Sequence, residues 1–116
     1  MAEQRAGVDI LMIGHIAVDQ IVVDGQSETA TGGGVFYGSM ALRALGISVA
    51  VATRLHPDDF SRLDEMRDAG VRVYPTPAEA TSGIENTYSS ANMETRLTRA
   101  LGFAGPFRPE DIPDLP

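Results

Sequence analysis

Apolar and polar positions alternate along this chain in two different rhythms. Asp9–Gly14 reads Asp-Ile-Leu-Met-Ile-Gly. Four consecutive apolar residues ending at glycine predict a strand covered on both faces, as in a parallel sheet. Ile47–Thr53 predicts a second strand of that kind. Between them the chain runs through Ile16, Val18 and Ile21–Val23 to a turn signal at Asp24-Gly25. The polar stretch Gln26–Thr31 is expected to return as a short edge strand. Thr31-Gly32-Gly33-Gly34 then opens a helix over Val35–Leu45, closed by Gly46. Phe36, Met40 and Ala44 form one stripe of that helix; Tyr37, Ala41 and Leu45 form the adjoining one. Gly38, Ser39, Ala41 and Ala44 are small enough to let the helix approach a sheet or a ligand closely.

Further along, His56-Pro57-Asp58-Asp59 carries the signs of a helix start, with proline in the first turn and acids that complement the helix dipole. Phe60, Leu63, Met66 and Ala69 recur every three residues, and Gly70 closes the segment. Val71–Tyr74 predicts a strand stopped by Pro75 and Pro77. Strands alternating with helices in this order predict an α/β fold, a mostly parallel sheet flanked by helices. The rhythm then changes. Gly83–Tyr88 and Met93–Leu101, joined by the turn-rich Ser89–Asn92, read as a hairpin outside the main sheet. Gly102–Pro116, with Pro106, Pro109, Pro113 and Pro116, reads as a connector.

Composition narrows the chemistry. A length of 116 residues predicts one domain, and a 43% hydrophobic content argues against disorder. The runs Ile10–Ile13 and Ile47–Ala52 are too short to span a bilayer. Met1–Gly7 has no apolar stretch of the kind a secretory signal requires, so a cytoplasmic location is the default expectation. Cysteine is absent, which excludes disulfides and thiolate chemistry. Lysine is absent too, which excludes a Walker-type phosphate loop and Schiff-base catalysis. A net charge of −7 without a basic tract makes nucleic acid an unsuitable partner. A membrane is not expected as a partner either.

Three features carry candidate chemistry. Asp19 follows the first strand, where ligands bind in open α/β sheets, and its carboxylate can accept hydrogen bonds from neighbouring hydroxyls; the alternative is a turn cap. Gly32 and Gly33 precede a helix, where free amides bind anions or hydroxyl oxygens; the alternative is a tight turn with close packing. The hairpin offers Asn86, Tyr88, Arg96 and Arg99, which can fold over a polar ligand or form a solvated face. His56 reads as a helix cap and Asp58-Asp59 as part of the helix start. No metal-ligand spacing occurs.

The order of these features resembles the N-terminal portion of the ribokinase-like (PfkB) carbohydrate kinase family. The resemblance rests on Gly14 to Asp19 after the opening strand, on Gly32-Gly33 leading through a small-residue helix to Leu45-Gly46, and on an Asp-Asp pair followed by phenylalanine in a segment ending Ala69-Gly70-Val71. It implies a ribokinase-like fold, truncated relative to the full family fold. Residues 1–116 would be a single partial domain, with lid segments at about 16–31 and 82–101. In the family, Asp19 would hold substrate hydroxyls and Gly32-Gly33 would present amides to the sugar. Tyr37, Asn86 and Arg96 complete the expected binding set.

Many sugar kinases have asparagine where this chain has Tyr37 and Ala17. The substitution points away from ribose, toward another polyol or a nucleoside. The family's second signature, Asp-Thr-x-Gly-Ala-Gly-Asp, with its base and anion hole, does not occur here. The expectation is therefore the substrate-binding part of an ATP-dependent sugar or nucleoside kinase, with no catalytic residue of its own. ATP and Mg are implied for the full-length family member and no cofactor for this chain alone. The partners implied are a small hydroxylated substrate and a second copy of the chain, paired through lid strands or sheet edges. The rival expectation is a non-catalytic module that binds a ligand or a protein. A nicotinamide enzyme half is disfavoured by the missing glycine fingerprint.

Overall fold

The computed structural model describes residues 7–115. The segment read as unlike a secretory signal lies, but for Gly7, outside them.

Two sheets share the chain. The first has strand order β1-β4-β5, all parallel, from β1 (Ile10–Ile13), β4 (Val49–Leu55) and β5 (Arg72–Pro77). The second has order β3-β2-β6-β7, from β2 (Ala17–Val23), β3 (Gln26–Gly32), β6 (Gly83–Ser89) and β7 (Asn92–Gly102). Here β2 pairs antiparallel with β3 and parallel with β6, while β6 and β7 form an antiparallel hairpin. The segments expected as lid strands make up this second sheet. The architecture is α/β, with a parallel main sheet and few helices.

Helix α1 (Gly34–Ala44) joins the second sheet back to the first. Of the first stripe, Phe36 is buried and Met40 packs on the core, while Ala44 at the helix end is exposed; Val35, outside the stripe, is buried as well. The adjoining stripe differs: Tyr37 and Leu45 are 63% and 76% exposed, because no described element covers that side. Gly38 lets the helix lie against β1, since a Cβ there would come within 2.6 Å of the Met12 methyl. The core gathers Ile16, Phe36, Val49, Val51, Leu55, Leu63, Met66 and Val71.

Two boundaries depart from expectation. The His56 segment is mainly a 3-10 helix, Pro57–Leu63, followed by the short helix α2 (Asp64–Asp68). The three-residue recurrence of Phe60, Leu63 and Met66 matches the 3-10 period rather than 3.6. His56 caps it, its Nδ1 accepting from the Asp58 amide at 3.0 Å. Strand β5 runs through Pro75 and Pro77 instead of stopping at them. It pairs only with β4, and an edge strand tolerates a residue without an N–H. No helix among the described residues is long and apolar enough to cross a membrane.

Candidate functional site

The sheets meet where β1 ends and β2 begins. Ile16 is fully buried there, and its amide donates to Thr53 Oγ1 of β4 at 2.9 Å. The Val18 amide donates to Ser82 O at 2.9 Å, which carries the start of β6 to the same point. A Cβ on Gly83 would collide with the Val18 carbonyl, so glycine is required for β6 to approach this closely.

A cleft of about 570 Å³ opens at this seam, lined by His15, Asp19, Gly33, Ile84, Ala100 and Phe103 among others. Asp19 belongs to β2 rather than to a turn. Its Oδ1 accepts from the Ile84 amide at 3.0 Å, bridging β2 to β6. Its Oδ2 lies beside Gly32, where a Cβ would come within 2.6 Å. Gly32 therefore leaves room for the carboxylate, and one oxygen of Asp19 is held by the backbone. Gly33 has φ +97°, and a Cβ on it would sit 2.5 Å from His15 O. Its glycine character serves close packing of α1's entry against the β1–β2 turn. No side chain caps the first turn of α1.

Tyr37 stands next to Gly32, 3.8 Å from the point a Cβ would occupy, with its ring set edge-on to Phe36 at 5.2 Å. It does not line the cleft. Asn86 lies two residues beyond Ile84 along β6, its Oδ1 accepting from Thr98 Oγ1 at 2.8 Å. Arg96 pairs across from Tyr88 and lines a separate depression near the hairpin tip. Four residue steps of strand take the chain from it to Ala100 at the cleft, roughly 13 Å. The structure thus brings Asp19 and the glycine pair together and places Asn86 and Arg96 outward from them.

Sequence reasoning gave no role to His15, Ser82, Ile84 or Phe103. The usable signal was aromatic: Phe103 and Phe107 stand in a glycine- and proline-rich connector, where a solvated link has no need of large apolar rings. That connector is pinned from below. Arg54 donates to Ala104 O at 2.9 Å and to Asp111 Oδ2 at 3.0 Å, both charges being largely buried. The Arg108 amide, helped by Arg54 and Thr76 against the opposing effect of burial, holds the Asp111 carboxyl below its usual range.

Among the described residues no three acidic or imidazole side chains gather as a metal site. With no lysine in the chain and no glycine-lined anion hole matching the family's second signature, the residues present do not fit a magnesium–nucleotide group.

Solved structures similar to this chain include kinases. A pyrophosphate-dependent kinase in the ribokinase family, solved as a sulfate complex, shares 38% identity over 87% of this chain and 36% of its own, with a TM-score of 0.78. A pyrophosphate-dependent ribokinase-family kinase complexed with a pyrophosphate analogue and myo-inositol shares 36% identity over 87% of this chain and 34% of its own, TM-score 0.76. The adenosine kinase of Sinorhizobium meliloti, at 19% identity, shares the fold over 93% of this chain and 43% of its own, TM-score 0.72. No family model and no curated protein matches the chain. The chain spans about a third of the length of the first two structures.

Proposed function

Because this chain forms part of a ribokinase-family (PfkB-like) kinase fold, we propose that it is the acceptor-binding part of a kinase that phosphorylates a hydroxyl of a small polyol. The observation that carries this reading is Asp19. One of its oxygens is fixed by the Ile84 amide, and the carboxylate lines the cleft between the two sheets. A carboxylate so oriented accepts hydrogen bonds from vicinal hydroxyls without having to be ordered on binding. Gly32 and Gly33 keep the opposite backbone close, and the β2–β3 and β6–β7 strands act as the lid. Tyr37 stands beside Gly32, and Asn86 extends the lid's ligand-facing set outward, while Arg96 lies beyond it at the hairpin tip.

Likeness to a kinase solved with myo-inositol favours a cyclitol over a nucleoside as acceptor. Phosphoryl transfer needs an activated hydroxyl and charge stabilisation on the moving group. The aspartate base and anion hole of the family's second signature are not among these 116 residues. The chain's part is to hold and orient the acceptor. The donor is ATP if the family resemblance governs, and pyrophosphate if the relatives at 36–38% identity do. A second copy of the chain, paired through lid strands, is the partner this reading expects.

Calorimetric titration with myo-inositol, ribose and adenosine tests the proposal. Myo-inositol should bind best, and Asp19→Ala should weaken it by roughly 1.5–3 kcal/mol, the worth of a charged hydrogen-bonded contact. If none of the three binds, the acceptor reading fails. Unchanged affinity in Asp19→Ala would remove that residue from the site.

A further inference from the structure

His15 follows β1 and meets the connector ninety residues later in sequence. Its ring stacks on Phe107, with centroids 4.9 Å apart and planes at 21°. It meets Phe103 edge to face at 5.2 Å and 87°. His15 Nε2 lies 2.7 Å from Gly105 O. A carbonyl can only accept, so Nε2 carries the proton and donates. Three contacts therefore fix one imidazole, and through it the position of the Phe103 ring.

Phe103 is 65% exposed and lines the cleft together with Asp19. A large apolar ring left in water gains free energy when a ligand covers it. A carboxylate and an aromatic ring in one cleft suit a molecule with hydroxyls at its edge and C–H bonds gathered on a face. A saturated six-membered polyol ring has that character.

We propose that Phe103 is the specificity-determining platform for the C–H face of a cyclic polyol acceptor, and that His15 is the positioning residue that holds it, a proposal that rests on the acceptor reading of the cleft. Phe103→Ala should weaken myo-inositol binding roughly tenfold, whereas Phe103→Tyr, which keeps the ring, should stay within about twofold. His15→Ala should weaken binding comparably, and His15→Gln, which retains a donor for Gly105 O, should lose less.

The decisive readout is a double-mutant cycle by calorimetry on the intact chain. If His15 acts through Phe103, His15→Ala costs nothing further in the Phe103→Ala background. A purely structural role would cost the same in both backgrounds and would overturn the positioning claim. Unchanged affinity in Phe103→Ala, while Asp19→Ala still weakens binding, would overturn the platform and leave the acceptor reading standing. Absence of any polyol binding by the unsubstituted protein would remove that reading and this proposal with it.

Discussion

Strands β4 and β7 are held in opposite ways. Every residue of β4 except Arg54 is buried, and Val49, Val51 and Leu55 belong to the core. Every residue of β7 except Gly102 is exposed, and the strand is fixed by its ladder to β6 and by polar pairs such as Glu85–Arg99. The main sheet is stabilised by removing apolar surface from water; the second sheet rests on backbone pairing and on the places where glycine lets it touch the first. Stability resides in the one layer. The surfaces offered to a ligand come from the other and from the seam between them.

Truncating the core should give the largest effect. Leu63→Ala and Met66→Ala remove fully buried side chains and should each lower stability by about 2–5 kcal/mol in urea unfolding. Leu97→Ala, at a residue 74% exposed on β7, should change it by less than about 0.5 kcal/mol. Similar costs at the two places would break the contrast between the layers.

The seam comes next. Gly83→Ala forces a methyl against the Val18 carbonyl, where only backbone could yield, and should cost about 1–3 kcal/mol. The damage should be local. Amide exchange should quicken along β2 and β6 while β4 stays protected. Uniform loss of protection would mean that the two sheets unfold as one unit.

Acid should act on the connector. Asp111 is held below the ordinary aspartate value of 3.8, chiefly by the Arg108 amide. The unfolded chain therefore takes up its proton more readily than the folded one. Its contribution is fully present above 3.8 and is lost as pH falls through the lower folded value. Thermal melts from about pH 6 to about pH 3 should fall off less steeply in Asp111→Asn than in the unsubstituted protein. Parallel profiles would show that Asp111 does not pin the connector.

The smallest effect belongs to the Glu85–Arg99 pair, whose side chains are 24% and 66% exposed. A double-mutant cycle should give a coupling below about 1 kcal/mol, shrinking as salt is raised. A larger, salt-resistant coupling would mean that the second sheet is held by charge as well as by its ladder.

What could be read in the sequence follows the same division. The Ile47–Thr53 region announces β4 because burial on both faces demands uninterrupted apolar residues, whereas β1, equally apolar in sequence, is an edge strand whose Ile10 and Ile13 stay exposed instead of covered on both faces. The hairpin was legible from its turn, Ser89–Asn92, although its strands bury little. Its partnership with β2 and β3 was harder to see, because polar strands leave no periodic mark of which neighbour they pair with. The three-residue spacing from Phe60 to Met66 was visible but read as a helix of the wrong pitch. In the site, Asp19 and the glycine pair could be singled out by type and order. His15 could not, and the aromatic signal of Phe103 did not reveal where the ring lands, because their meeting depends on Arg54 and Asp111 fastening a connector across a distance in sequence that no local pattern records.

The central claim is that an acceptor sits at the seam between the two sheets, against Asp19 and Gly33. Amide chemical-shift mapping during a myo-inositol titration tests it most directly. The account predicts saturable shifts at the amides of Gly33, Gly83 and Ile84, with the hairpin tip from Asn92 to Arg96 unmoved. Shifts confined to that tip, or none at saturating polyol, would contradict it.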